Sequence, residues 1–375
     1  MKFIRIIAVL IVLFTLPYYK TVVFKFEKGT PFQGNQFYNP YQSIGNTWLK
    51  TNFHAHTILH FGLMNGENTP EEMYSRYDSL NYNMPGISNY NSILPDTFNR
   101  NLYIPLYEHG RNLGTVHQLV INANYVENYD FPFYQGKSHK QAVINKQKEA
   151  GELIALAHPG FKNGYTKKDL RYLNNYDLFE GMSVRAGSIE LWDEALSHGH
   201  AVWVMGGDDA HDMEIPNTGV CWTMVNVADT GERALMNSLS SGAVYAVRGW
   251  QAQEMHRLQT VTVDSGVYKL ELNGRADSII LKSDFGKTVA AIAGAERISY
   301  QIQPENSYVR AEIFDTEVWN TYTKMYLNPV IRTETGALVK HNNKVEPNML
   351  KTWLFRLVLF IIQIALLLFV FRRRK

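Results

Sequence analysis

Short, fully apolar runs alternate with helix-like stretches between residues 46 and 249. Two of these runs cover residues 153–157 and 201–205, and helical composition marks residues 70–80, 138–151 and 190–198. Runs that are apolar on both faces fit strands buried on both sides, as in a parallel sheet covered by helices. The pattern predicts an α/β fold with a parallel sheet or barrel.

Caps support two of these helices. Thr69 precedes Pro70, which suits the first turn of a helix. Ser138 is the predicted N-cap of the second helix, and Gly151 is its predicted end.

The pattern changes after residue 255. Residues 267–272 alternate with period two, and Asn273-Gly274 follows as a predicted turn. Short strands are predicted at the positions 278–282, 299–303 and 308–314. We therefore expect a small all-β sandwich module over 256–334, and the polar residues 335–350 are a predicted tether.

Both ends of the chain are apolar. Lys2 and Arg5 precede an apolar run over residues 6–16, which is the pattern of a secretory signal. No small-x-small cleavage site follows, so residues 1–24 are either a signal peptide or an uncleaved N-terminal membrane anchor. A buried first element of the fold is the alternative.

The C-terminal run is longer. Residues 353–371 are apolar apart from Arg356 and Gln363, and a helix of this length spans about 28 Å, close to the ~30 Å of a hydrocarbon core. A basic amphipathic tail is the alternative, but the apolar residues surround the helix. We expect a transmembrane helix over 351–375. Its four terminal cations, with Lys2 and Arg5, place both ends in the cytoplasm and residues 25–350 outside, in a periplasmic or cell-surface position.

Composition excludes several classes of site. The chain has 37 Lys and Arg against 35 Asp and Glu, and this balance argues against a nucleic-acid partner. Cys221 is the only cysteine, so neither an intrachain disulfide nor a cysteine-based zinc site can form. A metal would have to be held by histidine and carboxylate side chains, and twelve histidines are available.

Histidine and carboxylate side chains recur at the ends of predicted strands. His54 and His56 are two residues apart, so an extended segment points both imidazoles the same way. The ends of parallel strands meet at one rim of an α/β fold. Each residue alone is a weak signal, but together they predict a metal site from these side chains: His54, His56, Glu108, His117, His158, Asp209 and His211.

These residues stand in motifs that resemble the polymerase-and-histidinol-phosphatase (PHP) family of metal-dependent phosphoesterases, and within it the carbaryl-hydrolase-like branch. The resemblance covers roughly residues 48–330 and implies a distorted seven-stranded β/α barrel with up to three divalent metals. The matching motifs are His54-Ala55-His56-Thr57, Tyr107-Glu108, Val116-His117, His158-Pro159-Gly160, Trp192-Asp193 with Leu196 and Gly199, Asp208-Asp209-Ala210-His211, Ser241-Gly242 with Tyr245, Tyr308 with Arg310, and Asn328-Pro329.

Three segments depart from the family pattern. His60-Phe61-Gly62 stands where the family has Ser-Asp-Gly, and Ser88-Asn89-Tyr90 stands for its Thr-Asp-His. Gly181-Met182-Ser183 occupies the position of a Gly-x-Glu. The departures imply that the third metal site is degenerate, so His211 is predicted to transfer protons and not to bind metal.

The resemblance also implies roles for single residues. His54, His56, Glu108 and Asp209 would hold one metal, and Glu108 would share a second with His117 and His158. Nitrogen and oxygen ligands suit one or two Zn, Mn or Fe ions. Asp209 and His211 would take part in catalysis. Apart from the resemblance, the chemistry of the guanidinium makes Arg185 a candidate to hold an anionic substrate group, unless it is an ordinary surface arginine.

Three functions remain open from the sequence. The first is a membrane-anchored, extracytoplasmic metal-dependent hydrolase that acts on a small-molecule or envelope-derived phosphoester. The second is a catalytically degenerate, PHP-derived module that binds metal or ligand. The third is an assembly protein of the cell envelope that uses its β module.

Overall fold

A computed structural model describes residues 2–59, 64–213, 218–249, 257–316 and 322–371. The predicted departure at His60-Phe61-Gly62 and the basic end at 372–375 lie outside these residues.

The described chain contains both helices and strands. The helices are α1 Lys2–Thr15, α2 Pro70–Ser79, α3 Lys137–Ala150, α4 Lys167–Leu170, α5 Ile189–Leu196, α6 Glu232–Ser241 and α7 Met349–Phe371. The strands are β1 Phe24–Phe26, β2 Gln36–Tyr38, β3 Trp48–Asn52, β4 Ile58–Leu59, β5 Met64–Asn65, β6 Met84–Pro85, β7 Leu106–His109, β8 Gln118–Ala123, β9 Gly151–Leu156, β10 Leu178–Ser183, β11 Trp203–Gly207, β12 Cys221–Asn226, β13 Val244–Arg248, β14 Leu258–Asp264, β15 Val267–Ser283, β16 Lys287–Gln301, β17 Tyr308–Thr316, β18 Tyr322–Leu327, β19 Val330–Thr333 and β20 Val345–Pro347.

A five-stranded sheet has the order β11-β10-β9-β8-β7. Strands β9, β10 and β11 are parallel, whereas β8 runs antiparallel to both β9 and β7. The apolar runs at 153–157 and 201–205 lie in β9 and β11 or at their ends, and these strands are buried on both faces. The predicted mixed α/β fold is confirmed.

Two single bridges connect this sheet to a second pair of strands. Strand β3 is parallel to β6. Ala55, just after β3, pairs with Ala210, just after β11, and Tyr90, after β6, pairs with Glu108 on β7. The seven strands therefore follow one another in a closed circuit, β11-β10-β9-β8-β7-β6-β3. Both bridges lie at the end that carries the predicted metal ligands.

The predicted N-cap is confirmed for α2 and wrong for α3. Thr69 caps α2 in a capping box with Glu72. Helix α3 begins after Gly136 instead of at Ser138. The reason is that His139 Nδ1 accepts the backbone N–H of Gly136 at 3.1 Å, whereas Ser138 Oγ accepts the N–H of Phe24 at 3.2 Å.

The described residues from β14 to β19 form an all-β region apart from a 3-10 turn at Asp284–Gly286, but this region is not separate from the α/β region. Strand β18 pairs with β13, so an eleven-stranded sheet runs from β14 through β13 and β12 to β3 and β6. Free strand edges favour such pairing because their backbone groups need partners. The predicted boundary at 255/256 falls within residues 250–256, outside the described residues.

The predicted turn at Asn273-Gly274 is wrong. Both residues lie inside β15, and the chain reverses at Ser265-Gly266 instead. Asn273 is held in the sheet because its N–H and its side-chain oxygen both bind Arg257, at 3.1 and 2.7 Å. The pairing of β15 with β16 is irregular between Glu271 and Ala276. An Asn-Gly pair inside a strand is therefore accommodated at a bulge.

A buried ion pair joins the all-β region to α5. The Arg310 guanidinium on β17 binds both oxygens of Asp193, each at 2.7 Å, and Tyr308 donates to the same carboxylate at 3.0 Å. The side chains of Arg310 and Asp193 are 1% and 7% exposed. This contact accounts for two of the motifs in the sequence, Trp192-Asp193 and Tyr308 with Arg310.

Two segments, Phe3–Lys20 and Met349–Phe371, are long and apolar enough to cross a membrane. They pack antiparallel: the Gln363 amide binds Thr15 Oγ1 at 2.9 Å and the Tyr19 hydroxyl at 2.8 Å, whereas Val23 N–H binds Thr352 near the start of α7 at 2.9 Å.

Residues 335–348 lie along the α/β region before α7 begins. Strand β20 pairs with β1, and the Lys340 ammonium binds Asp177 at 2.7 Å. The imidazole of His341 lies 2.9 Å from that of His200. The polar segment is therefore held against the fold on its way to the last helix.

Candidate metal centre

Four buried side chains converge where the two bridges close the circuit of strands. His54 and His56 follow β3, Glu108 is on β7, and Asp209 follows β11. The Nε2 atom of His54 lies 3.4 Å from Glu108 Oε2 and 3.3 Å from Asp209 Oδ1. The Nε2 atom of His56 lies 3.2 Å from each of the same oxygens. Two imidazole nitrogens and two carboxylate oxygens thus face one point.

A second group shares Glu108. Its Oε1 atom lies 2.8 Å from His117 Nδ1 and 3.1 Å from His158 Nε2. Within each group the ligand atoms all lie within 4.8 Å of one another. The six residues predicted as ligands are therefore together, and the Glu108 carboxylate directs one oxygen to each group. His211 belongs to neither.

The backbone is strained at two of these residues. His158 has a φ of 26° and Asp209 a φ of 51°, in the left-handed region that residues with a Cβ rarely adopt. Such conformations cost free energy and persist where surrounding structure imposes them, most often at functional sites. Here they aim an imidazole and a carboxylate inward at the ends of β9 and β11.

The charges of the site are strongly coupled. Burial opposes a charged imidazole at His54, yet Glu180, Asp209 and Glu108 raise its pKa well above the usual value. Burial also opposes ionisation of Glu108, but His117 and His54 hold its pKa well below the usual range. The pKa of Asp209 is likewise low, despite its burial, chiefly because of His54. The site is thus built for anionic carboxylates that face positive charge.

The donor atoms fit a divalent metal. Buried polar atoms usually have hydrogen-bond partners, because a buried polar atom without one costs free energy. Five nitrogens and oxygens of this site have no such partner among the described residues: His54 Nε2, His56 Nδ1 and Nε2, Glu108 Oε2 and His158 Nδ1. Three of them, His54 Nε2, His56 Nε2 and Glu108 Oε2, face the first group, and a metal ion there would satisfy them.

Glu180 is a residue of the site that the sequence analysis missed. Its Oε1 lies 2.9 Å from His54 Nδ1, and its Oε2 accepts the backbone N–H of His158 at 2.6 Å. A carboxylate that holds the second nitrogen of a ligand histidine fixes the ring orientation. One feature of the sequence could have indicated Glu180: it is the single carboxylate in the apolar strand β10. It also directly precedes Gly181-Met182-Ser183, one of the segments that depart from the PHP motifs.

Arg185 and His211 lie at the partly exposed side of the site. Arg185 Nε is 3.3 Å from Asp209 Oδ2, and its side chain is 44% exposed. His211 Nε2 is 3.2 Å from Asp209 Oδ1, and its ring stacks on His56 with a centroid distance of 4.2 Å. Burial lowers the pKa of His211. Arg185 therefore stands at the site and is not a remote surface residue.

The departure at Asn89-Tyr90 also lies in the site. The Asn89 side chain accepts the N–H of Thr57 and donates to its hydroxyl, both at 2.8 Å, so it fixes the turn after His56. The Tyr90 ring stacks on His56 at 4.7 Å. Burial raises the pKa of Tyr90 far above its ordinary value, and Glu108 and Asp209 add to the shift. A neutral phenol thus packs against His56, at the position where the motif that the sequence resembles has a histidine.

Asp208, the neighbour of Asp209, has a structural role. Its carboxylate accepts the backbone N–H groups of Gly219, Val220 and Cys221 at 2.7 to 2.9 Å, and the Tyr77 hydroxyl at 3.0 Å. Burial raises the pKa of Asp208 to about 6, against these hydrogen bonds. The residue holds the chain beyond the site in place and lies outside both ligand groups.

The fold and site define an α/β protein with a buried His, Glu and Asp group able to hold a metal. No family model and no curated protein matches the chain. Among solved structures, the chain is similar to a two-domain protein from Bacteroides vulgatus ATCC 8482 that contains a predicted PHP-like metal-dependent phosphoesterase. The similarity has 12% sequence identity and a TM-score of 0.41, over 86% of this chain and 99% of that one.

Proposed function

We propose that this chain is a metal-dependent hydrolase of phosphoesters that uses a mononuclear or dinuclear centre. The observation that carries the proposal is the position of Glu108, which directs one oxygen to His54 and His56 and the other to His117 and His158. A divalent ion bound at such a site supplies a Lewis acid that activates water and polarises the ester. The seven-strand circuit supports the PHP-type barrel implied by the sequence.

The residues of the chain have distinct tasks in this proposal. Glu180 orients His54 and fixes the backbone at His158. The Arg185 guanidinium, partly exposed beside Asp209, binds a non-reacting oxygen of the substrate phosphate, since its planar fork suits such oxygens. His211, whose Nε2 lies 3.2 Å from Asp209 Oδ1, takes a proton from the attacking water and returns it to the leaving oxygen, so that the imidazole ends the cycle neutral.

We further propose that the protein is anchored in a membrane with its site on the extracytoplasmic side. The support is the antiparallel packing of two membrane-length segments, whose polar residues Gln363, Thr15 and Tyr19 bind one another. Hydrogen bonds between helices are favoured in lipid because water cannot replace them. With Lys2 and Arg5 at one end, the positive-inside rule directs that end to the cytoplasm.

A second function is favoured by one observation, the neutral Tyr90 against His56. A site in which a phenol replaces an imidazole ligand could bind metal or ligand without turnover. This is the degenerate binding module of the sequence analysis.

Metal content and turnover separate the two functions. Full-length protein reconstituted with Zn, Mn or Fe is compared with a His54→Ala/His56→Ala variant by elemental mass spectrometry. Hydrolysis of p-nitrophenyl phosphate and bis-p-nitrophenyl phosphate is measured in parallel. A hydrolase binds one or two ions, one for each ligand group, and turns over at least one substrate. Metal without turnover supports the binding module, and metal content equal to that of the variant contradicts both.

A further inference from the structure

We infer that the site takes its phosphoester from a lipid of the membrane in which the protein is anchored, and not from solution. The inference rests on the proposed function and names its substrate class. Its basis is a set of contacts between two parts of the molecule. One is the partly exposed side of the site, called its mouth, where Arg185, His211 and the segment before His117 lie. The other is the base of the two apolar helices, meaning the end of α1 and the start of α7.

The first contacts bind the helices to one loop. The Tyr18 hydroxyl, just after α1, accepts the backbone N–H groups of Phe133 and Tyr134 at 3.2 and 2.8 Å. The Tyr18 ring packs on Phe131 at 5.3 Å, and Phe355 of α7 packs on the same cluster. Residues 129–134 are therefore fixed against the outer ends of both helices.

The second contacts bind this loop to the segment that carries His117. Asp130 accepts the N–H of Arg111 at 2.8 Å, and the carbonyl of Pro132 accepts the N–H of Leu113 at 2.9 Å. His117 follows Leu113 by four positions in the chain, which limits their Cα atoms to about 14 Å apart. The helix base and a metal-ligating residue are thus connected through two short, hydrogen-bonded segments.

Apolar side chains project from these two segments. Leu113 is 75% exposed, Tyr134 71% and Phe133 44%. The Phe133 ring contacts Phe14 of α1, with centroids 5.3 Å apart, so this loop reaches the level of the apolar helix. Exposed aromatic and aliphatic side chains next to a spanning helix belong at the headgroup level of a bilayer. We call Leu113, Phe133 and Tyr134 the membrane rim.

The chemistry of the mouth matches a headgroup phosphate. Arg185 and His211 are the partly exposed members of the site, with side chains 44% and 26% exposed, whereas the His117 side chain is only 10% exposed. Arg111, on the same segment as Leu113, is exposed. An anionic phosphoester at headgroup depth would meet the Arg111 and Arg185 guanidinium groups, while its acyl chains stay in the bilayer below the membrane rim. The substrate class is therefore a lipid phosphomonoester or phosphodiester.

A depth measurement tests the position of the rim without any turnover. Cys221 is buried, so a probe attaches only to an introduced cysteine. Leu113→Cys and Tyr134→Cys are labelled with an environment-sensitive fluorophore in full-length protein, in nanodiscs of phosphatidylcholine and phosphatidylglycerol. Ile292→Cys, at an apolar residue on β16 that is 42% exposed, is the control. Lipids spin-labelled near the headgroup should quench residues 113 and 134 but not 292. Equal quenching at all three positions overturns the inference.

Turnover distinguishes the lipid from a soluble ester. The metal-loaded protein is given phosphatidylcholine vesicles that contain phosphatidic acid and phosphatidylglycerol, and separately p-nitrophenyl phosphate. We expect Leu113→Ser/Tyr134→Ser to lower lipid hydrolysis by about tenfold, as lost apolar contacts would. The same variant should hydrolyse the soluble ester at the normal rate, and Ile292→Ser should change neither.

Three other outcomes of the turnover experiment would contradict the lipid assignment. Hydrolysis of the soluble ester without hydrolysis of either lipid overturns the lipid assignment and leaves the proposed phosphoesterase standing. An equal loss on both substrates would mean that the rim residues act through the fold. No hydrolysis of any ester by metal-loaded protein overturns the proposed function, and the substrate class with it.

Discussion

Glu108 determines how many ions the site can hold, because its two oxygens face different histidines. A carboxylate in this position could contact two ions, one through each oxygen. It could also contact one ion through Oε2 while Oε1 accepts hydrogen bonds from His117 and His158. The low pKa of Glu108, set against its burial by His117 and His54, keeps both oxygens available as acceptors. The question of one or two ions therefore depends on His117 and His158, which complete the second group.

The comparison of His211 with Asp209 tests the assigned roles. His211→Ala should leave the metal content unchanged and lower turnover by about 10²- to 10⁴-fold, the usual range for one general acid or base. Asp209→Ala should reduce the metal content, because neutral imidazoles cannot replace the charge of a carboxylate ligand. Metal and turnover are measured on both variants. If His211→Ala loses as much metal as Asp209→Ala, then His211 is a ligand and a third site is occupied.

Glu180→Gln tests a residue that the motifs did not indicate. An amide in this position still accepts one hydrogen bond but has no negative charge to raise the basicity of the His54 ring, so metal affinity should fall about 10- to 100-fold. Competition with a chelator measures this. Asp169→Asn is the matched control: Asp169 is also a buried carboxylate, but it binds Lys140 away from the site. A similar loss of affinity in both variants would show a general effect of removing buried charge.

A strand could be predicted where its own residues form a clear apolar run. The apolar runs of β9 and β11 and the histidines at their ends could be identified from the sequence. The Asn273-Gly274 pair could not, since Arg257, just before the neighbouring strand β14, holds Asn273 in extended form. Glu180 was missed for the same reason, because its partners His54 and His158 are distant in sequence. Contacts between distant elements decided what local patterns left open.

The Arg310–Asp193 pair is the main polar contact between the all-β region and α5. Removing one partner of a buried ion pair leaves the other charge without compensation, so Arg310→Met should lower the free energy of unfolding by about 3–5 kcal/mol. Urea unfolding of the full chain in detergent measures the change. Arg233→Met removes a pair that is exposed, with side chains 70% and 36% accessible, and should cost less than about 1 kcal/mol. Equal effects of the two substitutions would contradict the structural role of Arg310.

At the scale of the whole molecule, the proposed membrane arrangement depends on the two apolar segments, Phe3–Lys20 and Met349–Phe371. The sequence predicted each segment separately from its apolar length and flanking charges. It could not show that the helices pack antiparallel, since this depends on the contacts of Gln363 with Thr15 and Tyr19 and of Val23 with Thr352. In the proposed membrane arrangement, this antiparallel packing would place Lys2 at the start of α1 and Phe371 at the end of α7 on one side of the membrane, and the α/β region on the other.

Reporter fusions test this arrangement. A fluorescent protein that folds only in the cytoplasm, fused after Lys375, should fluoresce, and an alkaline phosphatase that is active only outside should be inactive there. The reason is the positive-inside rule, applied to Lys2, Arg5 and the four terminal cations. The matched control ends the chain at Asn348, before α7, where the phosphatase should become active and the fluorescence should be lost. Phosphatase activity after Lys375 would reverse the topology, place the site in the cytoplasm and exchange an extracytoplasmic lipid substrate for one of the inner leaflet.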